Sequence, residues 1–162
     1  MTDNFSLFKK QITHPFKFRL FMFTRLPAAF FAGLHISHLS ENESIIAIQQ
    51  KWFNKNPFHS IYFAILSMAA EVSTGILCMG AIYKRIPAVS MLVVKNEGNF
   101  YKKATGKISF TCADGNAIRQ AVKEAVATGE GRTVRCLSTG KNEQGEIVAE
   151  FYFTWSFKAK SI

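Results

Sequence analysis

From Ile61 to Ile82 the chain reads IYFAILSMAAEVSTGILCMGAI, and Glu71 is the only charged residue in it. Such a run is too apolar on every side to lie on a protein surface. It must be enclosed by other structure or cross a bilayer. A carboxylate within it is costly to keep ionised, so it must be paired, protonated, solvated from one side, or used. A membrane span would carry that acid at about 2.5–3.5 kcal/mol near the bilayer centre. The segment that follows is long and β-rich, which points instead to a helix wrapped by a sheet.

The flanking patterns supply that sheet. From Gly33 hydrophobicity alternates with period two, and GLHISHLSE and SIIAIQQKW are predicted as paired strands with Glu41-Asn42-Glu43 as their turn. A breaker-rich loop, residues 54–60, leads into a helix expected over about 59–83. Beyond Pro87 the candidate strands are Ser90–Asn96, Asn99–Ala104, Lys107–Ala113, Thr133–Asn142 and Glu146–Ala159. A second helix is expected from Gly115-Asn116 to Thr128, stopped by Gly129. Ahead of all this, NFSLFKKQI and Phe16–Phe31 are predicted helical, the latter broken near Pro27. The plan is α+β: one antiparallel sheet around a long central helix. One domain over 1–162 is expected, with an N-terminal helical extension over 1–32 and a core over 33–160.

Charge narrows the partners. The formal net charge is +9, with basic residues spread along the chain. Such a surface favours polyanions: an anionic membrane, nucleic acid, or a phosphorylated ligand such as coenzyme A. Lys95, Lys102 and Lys103 flank Phe100-Tyr101, a pattern open to coenzyme A phosphates, RNA or a solvated strand edge. Nucleic acid rests on charge and a few aromatics alone and is disfavoured. Residues 16–31 could pack in the core or touch a membrane surface. Cys78, Cys112 and Cys136 are far apart and form no CxxC, which fits buried thiols in a reducing, cytoplasmic setting. The first ten residues hold an early Asp and no unbroken apolar run, so a secretory signal is not expected. His35 and His38 should point to opposite faces of a strand, and no metal site is predicted.

On a helical period Ser60, Ala64, Ser67, Glu71, Gly75 and Cys78 share a small, mildly polar side, opposite Ile61, Ile65, Met68, Val72, Ile76 and Met79. Unpaired amides at the helix start and an acid further along suit attack on an acyl carbonyl. A structural Glu is the competing reading, and His59, beside the helix start, could assist or be a plain loop residue.

Asn56-x-x-x-Ser60-x-Tyr62 followed by Ala69-Ala70-Glu71 resembles the active-site segment of hotdog-fold acyl-CoA thioesterases of the phenylacetate type. There an Asn precedes a His-Gly-Gly turn, and an acid follows nine residues after the His. Asn56 matches the Asn, Glu71 the acid, and Tyr62 stands at the His position, with Phe63-Ala64 in place of Gly-Gly. Val148-Ala149-Glu150-Phe151-x-x-Thr154-Trp155 resembles the last strand of an uncharacterised thioesterase-like branch. The resemblance implies a hotdog fold, a homodimer or dimer of dimers, and an acyl-CoA or other acyl thioester as substrate with no further cofactor. It implies catalytic roles for Glu71, Asn56 and Tyr62, and substrate contacts from Ser60, Phe63, Ala64, Ser67, Gly75 and His59. Tyr62 is no neutral base, and Phe63 lacks the small profile of Gly, so acyl binding without hydrolysis is the alternative.

Overall fold

The computed structural model describes residues 4–160; the expected domain bounds 1–3 and 161–162 lie outside them. Three short helices come first: α1 (Asn4–Ile12), α2 (Pro15–Arg25) and α3 (Pro27–Ala32). The break expected near Pro27 is sharp. Leu26 leaves helical geometry, and Pro27, which has no N–H to satisfy, opens α3. Gly33 ends α3 with φ 84, a left-handed stop that suits glycine.

Strands β1 (His35–Leu39) and β2 (Ser44–Gln49) form the predicted hairpin, closed by the Ser40 N–H to the Glu43 carbonyl. A bulge between Ile36 and His38 breaks the strict alternation assumed for the two histidines, and both lie on the surface. The long helix α4 (Phe63–Ile82) follows, then β3 (Val89–Phe100), β4 (Lys107–Cys112), α5 (Gly115–Thr128), β5 (Arg132–Lys141) and β6 (Ile147–Ala159). The six strands form one antiparallel sheet in the order β1-β2-β4-β5-β6-β3. This is the hotdog architecture.

Two boundaries differ from expectation. The helix starts at Phe63, not near 59, because the chain bends at 59–60 and is extended at 61–62: Ile61 bridges Lys55 and donates its N–H to the Ala104 carbonyl. The two strands expected over 90–104 are one strand, β3, which pairs with β6 straight through Gly98. There Gly98 serves close approach: a Cβ would lie 2.8 Å from the Phe151 ring.

Period-two patterning places the core. In β6 Ala149, Phe151, Phe153, Trp155 and Phe157 are all buried on one face. That face meets Leu66, Ala69, Ala70 and Leu77 of α4 within one apolar cluster. Each large side chain so enclosed contributes about 1.5–3 kcal/mol. By length and composition α4 could cross a bilayer, yet 67% of its most apolar window is buried within the fold. Polar groups at the helix–sheet contact are matched. The Ser73 hydroxyl meets Ser138 at 2.7 Å and donates to the Ala70 carbonyl, while Ser44 donates to the Ser73 carbonyl.

The N-terminal helices pack on α4, with α2 also facing Met91 of β3 and Trp155 of β6. Phe8, Ile12, Met22, Ala29 and Ala32 are buried there. Phe16, Leu20 and Phe23, at i, i+4 and i+7 of α2, face outward.

Candidate functional site

The site residues predicted from sequence fall into two groups along α4. One group sits at its start. Asn56 staples the preceding loop: its Oδ1 accepts from the Phe58 and Ser60 N–H groups, and its Nδ2 donates to Ser60 Oγ at 3.1 Å. One Nδ2 hydrogen remains for another acceptor. Ser60 is buried in that staple. His59 is exposed with φ 60, and its carbonyl accepts from Gln50 Nε2.

Tyr62 is the cap residue of α4. Its own N–H donates to the Asn54 carbonyl at 2.8 Å, so this amide is spoken for. The Phe63 and Ala64 N–H groups open the helix with no acceptor among the described residues. The Phe63 ring is 56% exposed, set edge-on to Tyr62 at 4.9 Å and to Phe100 at 6.4 Å. It stands beside the open amides rather than over a closed core.

The second group is Ser67, Glu71 and Gly75. Glu71 is half-buried, and its carboxylate has neither a hydrogen bond nor an ion pair among the described residues. Burial pushes its pKa above the usual carboxylate value. Glu71 lines a pocket of about 180 Å³ that α2 covers in part and that stays partly open to solvent; Arg25 also lines it. Gly75 is buried because Trp155 lies against it; a Cβ there would sit 3.3 Å from the indole and 3.4 Å from Glu71 Oε1. Ser67 lies half-buried one turn before Glu71.

The two groups do not meet within one chain. Eight residues separate Phe63 from Glu71, about 12 Å along a helix axis. The division of α4 into a small polar side and a large apolar side also fails at this point. Val72, Ile76 and Met79, assigned to the apolar side, line the same cavity as Glu71 and Gly75, because α2 straddles both rows.

Several residues shape this site without having been singled out for it. Trp155 Nε1 donates to Thr74 Oγ1 at 2.9 Å, and Thr74 Oγ1 donates to the Glu71 carbonyl at 3.0 Å, so β6 pins the turn of helix that carries the acid. Asn54, fully buried, holds the approach to α4. Its Nδ2 donates to the Ala32 and Gln49 carbonyls, and its Oδ1 accepts from the Lys51 N–H. Two asparagines lie two residues apart, and sequence alone does not tell which is the buried clamp. The thiols of Cys78, Cys112 and Cys136 are buried and free; burial raises the pKa of Cys78, and a hydrogen bond with Cys112, then burial, raises that of Cys136. No group of three or more His, Cys, Asp or Glu side chains suited to a metal occurs among the described residues.

The family profile described as domain of unknown function DUF4442 matches residues 17–157, from within α2 to within β6. The chain belongs to the DUF4442 family. Solved structures place this DUF4442 chain among hotdog proteins. It is similar to PA5026 of Pseudomonas aeruginosa, a protein of unknown function described as a probable thioesterase, at TM-score 0.75 and 22% identity, over 93% of this chain and 99% of that one. A Chlorobaculum tepidum protein of unknown function matches at TM-score 0.72 and 16% identity, over 96% of each chain. The PaaI protein of Escherichia coli, from the phenylacetic acid degradation operon, matches at TM-score 0.63 and 13% identity, over 86% of this chain and 88% of that one. Comparison with functionally curated proteins returns no match. Coverage of 93% cannot be reached without residues ahead of β1, so the match to PA5026 extends into the N-terminal helical segment.

Proposed function

We propose that this DUF4442 protein is a cytoplasmic thioesterase that hydrolyses an acyl-coenzyme A ester, with Glu71 as its acid-base or nucleophilic group. One observation carries the reading: an unpaired, half-buried carboxyl on the central helix, open to a cavity. A raised pKa brings such a group closer to neutral pH, where a general base works best. In the base-catalysed form, Glu71 takes a proton from water and the water oxygen bonds to the acyl carbon. The carbon–sulfur bond then breaks, and the proton passes to the leaving thiolate. In the nucleophilic form Glu71 bonds to the acyl carbon as the carbon–sulfur bond breaks and the thiolate leaves; water then adds to the acyl carbon of the anhydride, freeing the acid and the Glu71 carboxylate, and the proton released goes to the thiolate. The open Phe63 and Ala64 amides suit the oxyanion, and the remaining Nδ2 hydrogen of Asn56 suits the carbonyl or the water.

A single carbonyl cannot reach both the amides and Glu71 across about 12 Å of helix. The reading therefore pairs the amides of one copy with Glu71 of another. A homodimer joined along β3 is supported by that strand's free edge, which carries Leu92 and Val94, 65% and 53% exposed. Light scattering should report at least a dimer at micromolar concentration.

Acyl binding without turnover is the second reading, favoured by the bulky Phe63 beside the open amides. A panel of acyl-coenzyme A esters, assayed for free thiol with wild type and Glu71→Gln, separates the two. Hydrolysis lost by a factor of about 100 or more in the variant supports the enzyme. Binding with no hydrolysis above the variant's background supports the carrier.

A further inference from the structure

We infer that the cavity beneath α2 is the acyl pocket of this site, and that Phe21, with Ile12 and Met79, forms its end wall and limits the length of the acyl group. The inference rests on the thioester reading above. The cavity measures about 180 Å³, and only Glu71 and Arg25 bring charge to it; Phe18, Met22, Val72, Ile76 and Trp155 make the rest apolar. An apolar cavity of about 150 Å³ admits a molecule the size of benzene. By that measure the pocket suits an acyl group of about six to eight carbons.

Its direction follows from the helix. Glu71, Val72, Gly75, Ile76 and Met79 succeed one another along α4, leading away from the acid towards the C-terminal end. A carbonyl held at Glu71 thus sends its tail beneath α2. Beyond lies a second apolar pocket of about 310 Å³, an open groove lined by Phe8, Gln11, Ile82 and Tyr83. Ile12, Phe21 and Met79 line both cavities, so they are the partition between them. Phe21 is only half-buried, and its removal takes little from the central core.

The test uses the full chain as wild type, Phe21→Ala and Met79→Ala. Two readouts are taken: hydrolysis of straight-chain acyl-coenzyme A esters from four to sixteen carbons, and calorimetric affinity for fatty acids of the same lengths. Wild type should peak at about six to eight carbons. Opening the partition should move the peak to twelve carbons or more, with a gain of about fourfold for each methylene newly buried. If Phe21→Ala does not fold, Met79→Ala should give the same shift. Hydrolysis with one length profile in all three proteins overturns the pocket and leaves the thioesterase reading intact, whereas one binding profile in all three without turnover overturns the pocket and removes the hydrolase. A shifted binding profile without turnover supports the pocket and removes the hydrolase. No binding or hydrolysis at any length by wild type overturns both.

Discussion

Asn54→Ala should cost this protein about 3 kcal/mol of stability, and the figure comes from counting bonds. The Asn54 side chain makes three hydrogen bonds to backbone: to the Ala32 carbonyl at 3.2 Å, to the Gln49 carbonyl at 2.9 Å, and from the Lys51 N–H at 2.8 Å. The residue is only 1% exposed, so water does not readily replace it. Each such bond is worth about 1 kcal/mol net, and more where a buried group is stranded. For a domain of this size, Tm should fall by about 6–12 °C. Urea titration is the assay, with an unchanged slope as the sign that native stability alone has moved. Asn54→Asp discriminates further. It keeps an acceptor for Lys51 but sets a carboxylate against two carbonyls, and it should be worse than Ala at neutral pH. A loss under about 1 kcal/mol for Ala, or an Asp variant as stable as wild type, would refute the reasoning.

Three further outcomes follow. Trp155→Phe should destabilise by about 1–2 kcal/mol, since Thr74 loses its indole donor; thermal melts check it. Glu71→Gln should match wild type in Tm near pH 4 and exceed it at pH 8. Burial holds the folded carboxyl's pKa above the ordinary glutamate value, so wild type loses stability as pH rises from that ordinary value through the folded pKa; a difference that does not vary with pH would refute this. Gly115→Ala should cost about 1–3 kcal/mol, because its Cβ would stand 2.6 Å from the Asn42 Cα and displace the β1–β2 turn; chemical denaturation measures it.

Much of this fold was legible in the chain. The apolar run around Glu71 and the alternating segments on either side are enough to require a wrapped helix, and that is what α4 and its sheet are. Gly129 stops α5 with φ 71, as its position after Thr128 implied. The failures have local causes. Gly98 looked like a strand end but allows an aromatic ring to lie over continuous backbone. Ser60 looked close to a helix start but is held in the loop by Asn56, and Ile61 after it is held extended by the Ala104 carbonyl. Both are decided by partners more than thirty residues away or by a loop's own hydrogen bonds, which periodicity does not register.

The site was legible only as a set of residues, because helical spacing says which side chains share a face and not what lies opposite. Glu71 and Gly75 fall on one row and Val72, Ile76 and Met79 on the next, about 100° round the helix. Whether those rows are two surfaces or one depends on the width and placement of the covering element. Here that element is α2, whose Phe18, Phe21 and Met22 reach both rows. The sequence of α2 alone, rich in Phe with Lys17, Arg19 and Arg25 between, is compatible with a core, a membrane face or a lid. Its two faces in the fold show how one helix serves more than one of these roles: Met22 is buried against the core, while Phe16, Leu20 and Phe23 face outward. The acid is therefore neither tied into a closed core nor laid open to bulk water. It is kept at the rim of an apolar space, the setting in which a carboxyl's proton affinity rises and a thioester's apolar tail would find its place.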